Sequence, residues 1–549
     1  MKRKTTVLTP KFFLELTSLF KSAPLPYDYA YVPGFSEPHQ QPHLRYYINR
    51  VITNLTRDAF RHAGFRETKS PTVWNTSWGR QYDPPEYKRC QFHQKINHFC
   101  GAFLMGRKDH LDDRMKELAK NAPELATFYP KSYLLPKELH EFEEAWPQRR
   151  LWIFKPSASS RGRGIKLVDS FNPETLDFEF QKFQGVAQTY IERPFLITNR
   201  KFDIRLYALI TGVAPLRIYM HTAGLARFCA HEYDPESLDE HSNLTNFSLN
   251  KDDEQFVACD GDSEKVRDSK WTLNLFLSYL KNQLGIDIDH LMEELTRVLI
   301  CTVIAGMNAI RKNHEASIPQ RHTSYELYGI DIMLDEQMVP HLIEINISPS
   351  MSGLDSKMDY QMKFPIMVDL LRMARIIDCD CTAENPCPAI EAIEKEFKNS
   401  KLANNRQALV ESKKIHPWDN PVFADYTIIR DFIEEMGCKR PTPEMSAELS
   451  DYFNGNEKWY LPHKKGKVSD DQFQVDDVST VAAESHFRLI FPVPETVDKY
   501  TKAFDKDRYE DIVLRDWIKM PEQKKLQVLQ SSFNVYAEKL NEICSPDTE

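Results

Sequence analysis

Two neighbouring segments of the sequence carry acidic and amide side chains that could share one cation. Asp331 lies in one β-rich run, Glu344 and Asn346 lie in the next, and turn residues near Gln337 separate the runs. Side chains alternate faces along a strand, so Glu344 and Asn346 point the same way, and a hairpin sets Asp331 opposite Glu344. Like charges so close repel unless a cation lies between them, and oxygen ligands suit Mg²⁺. The pattern predicts a magnesium site, with a solvated strand face as the alternative.

A loop of small and basic residues follows a short apolar run. Residues 155–165 read Lys-Pro-Ser-Ala-Ser-Ser-Arg-Gly-Arg-Gly-Ile. Backbone N–H groups of such a loop can converge on phosphate oxygens, Lys155 can supply a point charge, and Arg161 can bond bidentately. The segment lacks the spacing of a Walker P-loop. It predicts a phosphate site that involves Gly162, with a plain flexible hairpin as the alternative.

A third polar pattern lies between these two. Residues 188–194 read Gln-Thr-Tyr-Ile-Glu-Arg-Pro, and after them Lys201, Asp203 and Arg205 alternate with apolar residues. One strand face is therefore charged and the other buried. The charged face could be a surface ladder of ion pairs, which stabilises little, or the wall of a nucleotide site.

Strands and helices must position these groups. Apolar and β-rich runs predict strands over 151–154, 183–191, 202–211, 328–334 and 339–347. Helical spacing predicts helices over 44–65, from a cap at Ser269 to about 280, over 290–310 and over 362–377. The strand residues between the polar ones, Ile343, Ile345 and Ile347, are expected to face a core.

Composition limits the classes of function. The chain has 549 residues, 41% of them apolar, and a net charge of −9, which suits two to four globular domains. The negative charge provides no general attraction for nucleic acid or a membrane. No stretch approaches the ~18 uncharged apolar residues of a spanning helix, and no signal peptide is evident. The chain is therefore expected to be cytoplasmic, with its 10 Cys as thiols.

Taken together and in this order, the segments resemble the tubulin tyrosine ligase-like family, an ATP-grasp group. Leu244-Thr245-Asn246-Phe247-Ser248 and the pair Asp359 and Lys363 also fall in family order. The stretches 95–109 and 487–492 look like the polyglutamylase branch around member four. The resemblance covers roughly residues 45–380 well and the remainder thinly.

The resemblance implies a mixed α/β (α+β) ATP-grasp fold with N-terminal, central and C-terminal subdomains and a largely helical extension. The expected divisions are a loosely ordered arm over 1–43, subdomains over 44–133, 134–196 and 197–380, and the extension over 381–549. The last subdomain would carry the magnesium site. The extension would contact tubulin or microtubules through lysines within 395–414 and 464–467.

The family also implies an activity, ATP-dependent joining of free glutamate to glutamates in tubulin tails through an acyl phosphate, with a leaning toward chain initiation. Arg205 would contact the acyl phosphate, and Asp331, Glu344 and Asn346 would hold Mg²⁺. The residues implied to bind ATP are Lys155, Arg161, Gly162, Gln188, Thr189, Tyr190, Ile191, Lys201, Asp203, Thr245 and Asn246. The residues implied to bind glutamate are Arg227, Phe247, Ser248, Lys251 and Lys363.

Three positions depart from the family pattern and bear on amino-acid recognition. Asn243 stands where His is common, Phe247 where Tyr is common, and Ala223 where Asp is common. A glycine ligase of the same family therefore stays open as an alternative, as does a catalytically dead tubulin-binding protein, although the retained acidic and basic residues favour an enzyme. An ATP-grasp ligase for a small molecule is a remoter alternative. The expected partners are tubulin or microtubules and free glutamate, with a monomeric chain at the cytoskeleton, including a cilium or basal body.

Overall fold

The structure is a computed structural model. It describes residues 41–159, 162–171, 178–251, 253–255, 268–318, 321–354, 356–384, 386, 424–437 and 486–544, together with positions 12, 16 and 30. Arg161 of the predicted phosphate loop, most of the predicted arm over 1–43, and the lysines predicted to face a microtubule lie outside these residues.

The described residues fold around three β-sheets. The strands are β1 (Arg45–Asn49), β2 (Arg66–Thr68), β3 (Thr76–Gly79), β4 (Lys95–Ile96), β5 (Ser132–Leu135), β6 (Leu151–Pro156), β7 (Lys166–Asp169), β8 (Gly185–Thr189), β9 (Phe202–Val213), β10 (Leu216–Phe228), β11 (Lys270–Thr272), β12 (Glu326–Leu334), β13 (Pro340–Asn346) and β14 (Phe487–Phe491).

Helices pack on the faces of these sheets. The α-helices are α1 (Asn54–His62), α2 (Pro84–Tyr87), α3 (Phe103–Gly106), α4 (Lys108–Asn121), α5 (Leu139–Ala145), α6 (Glu240–Asn243), α7 (Phe247–Asn250), α8 (Leu273–Asn282), α9 (Ile288–Ser317), α10 (Lys357–Met373), α11 (Ala424–Gly437), α12 (Val497–Tyr500), α13 (Tyr509–Lys519) and α14 (Glu522–Cys544). Single 3₁₀ turns occur at Pro123–Leu125, Trp146–Gln148, Phe180–Lys182 and Thr501–Ala503. The mixed α/β class and the expected ATP-grasp type of fold agree with this arrangement.

The first sheet is parallel, in the order β2-β1-β3-β4. The helix predicted over 44–65 is wrong in its first half, where β1 forms instead. Leu44 and Tyr46 are both buried, which is the alternation expected of a strand. The helical spacing of apolar residues over the longer segment concealed this alternation. The helix proper begins after Thr53, whose hydroxyl oxygen accepts from the Thr56 N–H at 3.3 Å as an N-cap.

The second sheet is antiparallel, in the order β5-β8-β6-β7, and carries the predicted phosphate loop between β6 and β7. The strands predicted over 151–154 and 183–191 are confirmed as β6 and β8. An aromatic cluster fills one face, where Phe142 and Trp152 meet edge to face at 5.0 Å between ring centroids. Such pairs add to the burial of apolar area and hold the loop on a rigid base.

The third and largest sheet runs in the order β11-β10-β9-β12-β13, with β14 also beside β10. The strand predicted over 202–211 and the hairpin of residues 328–347 are confirmed as β9 and the pair β12–β13. Phe202 and Ile204 belong to the core shared with the long, buried helix α9, whereas Tyr207 and Leu209 belong to the opposite core. The sheet is therefore covered on both faces over most of its length.

The cap predicted at Ser269 is wrong. Lys270–Thr272 form strand β11, which pairs with β10 from Leu225 to Arg227. Thr272 is the actual N-cap of α8, because its hydroxyl oxygen accepts from the Leu275 N–H at 3.3 Å. Pairing with a strand end replaced the first turn of the predicted helix, which local sequence spacing could not reveal.

The described parts beyond residue 380 pack against the large sheet. Strand β14 pairs with β10, and Glu435 of α11 accepts from Arg217 at 3.0 Å and from Thr211 at 2.6 Å. The boundaries drawn from the sequence between subdomains, and the helical nature of the whole extension, stay predictions. Among the described residues, no helix has the length and apolar character needed to cross a membrane.

Candidate active site

A cleft of about 650 Å³, open at its mouth, lies between the second and third sheets. Most of the site residues predicted from the sequence line it: Lys155, Gln188, Thr189, Tyr190, Ile191, Lys201, Asp203, Thr245, Asn246, Asp331 and Glu344. The structure thus brings together segments that are almost 190 residues apart in the chain.

The strand register produces a row of alternating charges along the cleft. Arg205 on β9 stands opposite Asp331 on β12, which stands opposite Glu344 on β13. One strand further, Arg227 on β10 stands opposite Asp203 on β9. Facing side chains on neighbouring strands are close enough to interact directly. The strand register therefore confirms the prediction from the sequence that Asp331 lies opposite Glu344.

Arginines neutralise two of the carboxylates. Arg205 donates from Nε and, at 2.9 Å, from Nη2 to Asp331, and Arg227 donates to Asp203 at 2.6 and 2.7 Å and to Asp331 at 2.8 Å. Burial opposes the charge on Asp331, but the two guanidinium groups outweigh it and hold its pKa below the usual range. Burial raises the pKa of Asp203, although Arg227 and the Thr245 hydroxyl, which donates at 2.6 Å, oppose this.

The third carboxylate is less satisfied. Glu344 is 22% exposed and pairs with Lys108 at 3.6 Å, the nearest cation among the described residues. The Asn346 amide nitrogen lies 3.2 Å from Glu344 Oε1 and 3.4 Å from Asp331 Oδ2. Two carboxylates and one amide therefore converge, with the amide nitrogen turned toward the carboxylates. A half-turn of the Asn346 amide would present its oxygen instead and make the donor set all oxygen. This donor set fits Mg²⁺, which keeps water and substrate oxygens in the rest of its shell. Asp331, Glu344 and Asn346 are the residues that could hold it.

The expectation that Ile343 faces a core is wrong. Asp331 pairs with Glu344 but the next residue, Ile332, pairs with Leu342, so Ile343 is an extra residue in a β-bulge. Ile343 lines the cleft, and its carbonyl oxygen accepts from Lys155 Nζ at 3.3 Å. Ile345 is buried in the core as expected. The bulge links the predicted metal strand to the predicted phosphate loop.

Two buried lysines in the cleft donate their hydrogen bonds to neutral groups. Lys155 Nζ donates to Gln188 Oε1 at 2.7 Å and to the Ile343 carbonyl, and Lys201 Nζ donates to the Tyr190 hydroxyl. Burial lowers the pKa of Lys155 to about 8 and that of Lys201 to about 7. An anion in the cleft would favour the charged form of both, so the site is suited to phosphate.

The phosphate loop packs closely on α7 and its approach. Gly162 has φ +76°, and a Cβ there would lie 2.6 Å from Leu249 Cδ1 and 3.2 Å from Asn246 Oδ1. The positive φ favours glycine, whereas the closest contact is with the end of the Leu249 side chain, which can shift. Lys108, to which the sequence assigned no role, lines the cleft and donates to the Ser159 carbonyl at 2.9 Å. Lys108 can be recognised as a site residue only from the folded structure, because α4 is distant from the phosphate loop in sequence.

The residues predicted to bind the amino acid lie beside the cleft and among several cations. Lys363 bonds Asp359 at 2.6 Å and donates to the Ser352 carbonyl at 2.9 Å. Lys270, which sequence reasoning missed, lies 3.6 Å above the ring of Phe247 and 2.7 Å from Asp359. Two lysines thus share one buried carboxylate. The roles predicted for Arg227, Phe247, Ser248 and Lys363 stay predictions.

Lys251 differs from its neighbours because its position is exposed, at the end of α7. Lys270 is buried and faces Phe247, so it is the more suitable cation for a substrate carboxylate on this side of the cleft. The signal for Lys270 was weak in the sequence, because it seemed to belong to the first turn of a helix and not to a strand edge.

A second group of potential ligands lies elsewhere in the large sheet. His221, Asp369 and His486 hold their ligand atoms within 4.8 Å of one another. The His221 Nδ1 accepts from the Ala223 N–H at 2.9 Å, which leaves the proton on Nε2, where it bonds Asp369. Asp369 also accepts from the His486 backbone N–H at 2.8 Å. Hydrogen bonds within the cluster therefore connect α10, β10 and the residue that precedes β14.

Comparisons with known proteins identify the family of this chain. Residues 86–383 match the sequence profile of the Tubulin-tyrosine ligase family, which is more than half of the chain. A human protein named tubulin monoglutamylase TTLL4 is 32% identical over 344 residues, covering 62% of this chain and 28% of that protein. A Caenorhabditis elegans protein named tubulin polyglutamylase ttll-4 is 30% identical over 484 residues, covering 87% of this chain and 72% of that protein.

A third relative comes from Tetrahymena thermophila and is named probable beta-tubulin polyglutamylase. It is 35% identical over 317 residues, which cover 55% of this chain and 25% of that protein. The chain spans about a quarter of the length of the mammalian relatives that it matches, 28% for the human protein and 25% for a mouse polyglutamylase.

Proposed function

The chain belongs to the tubulin-tyrosine ligase family, and from this we propose that it is an ATP-dependent ligase that joins free glutamate to glutamate side chains in tubulin C-terminal tails. One observation carries the proposal. The cleft combines two buried lysines that lack a carboxylate partner among the described residues with a convergent pair of carboxylates, Asp331 and Glu344. Such a site can hold a polyanion and a divalent cation together.

The proposed reaction has two steps. A side-chain carboxylate oxygen of the acceptor glutamate attacks the γ-phosphorus of ATP, and ADP leaves. The α-amine of free glutamate then attacks the acyl carbon, the amide bond forms, and inorganic phosphate leaves with the oxygen that came from the acceptor. The amine loses a proton to solvent. Both steps place negative charge on phosphoryl oxygens, so preorganised cations supply most of what the protein must contribute.

The nucleotide would lie between the second and third sheets. Strand β8 and the residues that follow it, Gln188 to Ile191, would face the base, and Asp203 with Thr245 would face the ribose. Lys155, Lys201 and the loop of Arg161 and Gly162 would surround the phosphates, with Asn246 behind the loop. The contact of Lys108 with this loop at the Ser159 carbonyl supports adding it to the set.

Mg²⁺ would be held by Asp331, Glu344 and Asn346, and when bound it would offset charge on the phosphate oxygens. In this arrangement Arg205, which already bonds Asp331, would lie beside the metal, where it can contact the acyl phosphate. The fork of Arg205 gives two parallel N–H donors, which suits a phosphoryl or carboxylate group.

The incoming glutamate would be recognised by cations near the other end of the row. Arg227 has the fork geometry for a carboxylate, as its bonds to Asp203 demonstrate. Phe247, Ser248 and Lys363 would complete that side, and the burial of Lys270 over Phe247 supports Lys270 in preference to Lys251. Two carboxylates of free glutamate could then meet two separate cationic groups.

The proposed protein substrate and setting are extended from the relatives. The names of the relatives describe glutamylation of tubulin. We propose that the present chain modifies tubulin tails, that it acts at the cytoskeleton and, more narrowly, that it acts at a cilium or basal body. Preference for starting a chain over lengthening one, and a monomeric state, belong to the same proposal. The tubulin tail is acidic and this chain has a net charge of −9, so the tail would have to bind at local groups of basic side chains.

Mass spectrometry of unmodified tubulin tests the proposal. Tubulin is incubated with the protein, Mg-ATP and either glutamate or glycine, and the tails are weighed. We expect mass additions of glutamate that Glu344→Gln abolishes. Glu336→Gln is the matched control, because Glu336 lies in the turn of the same hairpin, is 42% exposed and pairs with Arg193 at 3.0 Å. That variant should retain activity.

Two other outcomes would overturn parts of the proposal. Additions of glycine alone would assign the chain to glycine ligation and leave a substrate carboxylate for only one of the two cationic groups, Arg227 or Lys270. No addition to any tail, with nucleotide still bound, would favour another acidic protein as the acceptor first and a tubulin-binding protein without chemistry second.

A further inference from the structure

Lys201 is held in the cleft by neutral groups alone among the described residues. Its side chain is 2% exposed, its Nζ donates to the Tyr190 hydroxyl, and the same nitrogen lies 3.9 Å from the ring centroid of Tyr190 and 5.7 Å from that of Tyr233. An ammonium group so placed keeps little of its hydration and gains only weak electrostatic compensation.

The titratable and charged groups around Lys201 do not neutralise it. Asp203, the nearest carboxylate along β9, is committed to Arg227 and to the Thr245 hydroxyl. Burial raises the pKa of the Cys229 thiol to about 12, so that thiol stays neutral, and Lys155 adds like charge from β6. These surroundings account for the lowered pKa of Lys201, about 7, with burial as the main cause.

Asn243 determines how Tyr190 meets this lysine. The Asn243 Nδ2 group donates to the carbonyl oxygens of Ser237 at 2.9 Å and Asp239 at 2.8 Å, so its Oδ1 must face Tyr190. The Tyr190 hydroxyl donates its single proton to that Oδ1 at 2.7 Å. The lone pairs of the hydroxyl oxygen are therefore left for Lys201.

We propose that Asn243 and Tyr190 are positioning residues that hold the amino group of Lys201 in the cleft, and that Lys201 takes up a proton from solvent when a nucleotide phosphate binds. The inference rests on the proposed function, because it takes the nucleotide site as given. Since the complex then holds more protons than the empty protein, nucleotide affinity falls as pH rises through the region where the empty site loses its proton.

Titration calorimetry with Mg-loaded adenylyl imidodiphosphate measures this directly. Binding heats are recorded in buffers of different ionisation enthalpy, and the slope of heat against that enthalpy gives the protons taken up. At about pH 8 we expect an uptake of about one proton or slightly more per nucleotide. Lys201→Arg keeps the positive charge at every pH, so the uptake should fall by more than half.

Tyr190→Phe tests the positioning role, because it removes the hydroxyl and keeps the ring. Without that oxygen the charged form of Lys201 loses its hydrogen-bond acceptor and the proton leaves at lower pH. We expect nucleotide affinity to fall about tenfold at about pH 8.5 and less than twofold at about pH 6. Asn243→Ala should show the same dependence on pH with a smaller amplitude.

The outcomes separate the two proposals. A loss of affinity in Tyr190→Phe that is equal at both pH values would contradict the positioning role, since a merely structural change has no reason to depend on pH. Nucleotide binding by the unaltered protein without proton uptake would overturn the inference and leave the proposed ligase intact. No nucleotide binding at any pH would overturn both.

Discussion

The two ends of the large sheet both carry buried arginine–carboxylate pairs, yet they are completed differently. At the end covered by α11, Glu435 accepts from Arg217 at 3.0 Å, from Thr211 at 2.6 Å and from Tyr219 at 2.5 Å. At the end that lines the cleft, the described residues provide Glu344 with a lysine at 3.6 Å and an amide. These two regions are called the covered end and the open end.

We infer from this difference that the covered end contributes mainly to stability and the open end mainly to ligand binding. A buried charge costs free energy unless its partners in the folded chain compensate it, and the covered end supplies those partners from its own strands and from α11. The open end leaves Glu344 and Lys201 incompletely compensated, so a ligand of opposite charge can complete what the chain does not. Variants at the two ends should therefore change different measurements.

The largest effect is expected at the covered end, on stability. Glu435→Gln leaves Arg217, which is fully buried, without a counter-charge and should lower the free energy of unfolding by about 3–5 kcal/mol in denaturant titrations. Asp498→Asn is the control, because Asp498 is 65% exposed beside Lys519 and its loss should cost about 1 kcal/mol or less. Nucleotide affinity per folded molecule should not change in either variant.

Glu344→Gln should have the opposite profile. Glu344 is 22% exposed and lies 3.6 Å from Lys108, so its substitution leaves no buried arginine without a counter-charge. It removes a charge from the open end and should slow glutamate addition by about 10²–10³-fold, as the loss of a group that stabilises charge during reaction does elsewhere. Its effect on unfolding should be smaller than that of Glu435→Gln. An equal loss of stability in both variants, with activity retained in Glu344→Gln, would remove the distinction between the two ends.

Arg227→Lys should affect one substrate more than the other. A lysine keeps the charge but loses the two parallel donors that now bond Asp203. We expect the KM for glutamate to rise by about thirtyfold, which corresponds to about 2 kcal/mol, and the KM for ATP to rise less, by about five- to tenfold, because Asp203 also loses bonds. A rise confined to ATP would assign Arg227 to the nucleotide instead.

Thr245→Val gives the smallest effect and measures a single hydrogen bond at the open end. The Thr245 hydroxyl donates to Asp203 at 2.6 Å inside the cleft. Removing it leaves part of that buried carboxylate unsatisfied and should weaken nucleotide binding about fivefold, or about 1 kcal/mol, in the calorimetric titration. Unchanged affinity would mean that Asp203 does not face the nucleotide.

The sequence predicted the open end better than the covered end, for a physical reason. The pairing of Asp331 with Glu344 depends on a period of two and a short turn, both of which are local and readable. The bonds of Glu435 join it to residues more than 200 positions away. No spacing in the sequence encodes such a contact, because tertiary packing creates it.

The errors within the site have the same origin. Ile343 was assigned to a core because strict alternation was assumed, whereas the bulge gives β13 one extra residue. Lys270 was hidden in an assumed helix start, and Lys108 reaches the cleft only because α4 packs near the phosphate loop. Local sequence patterns therefore predicted which residue types line the cleft. Several residues that contact them could be found only from long-range packing.

The central claim is that the open end activates an acceptor carboxylate by phosphorylating it, and isotope transfer tests this most directly. A tubulin-tail peptide labelled with ¹⁸O in its side-chain carboxylates is incubated with the protein, Mg-ATP and glutamate, and the released phosphate is weighed. The account predicts one ¹⁸O atom in phosphate for each glutamate joined, because the acceptor oxygen leaves with the phosphoryl group. Unlabelled phosphate alongside glutamate addition would contradict it.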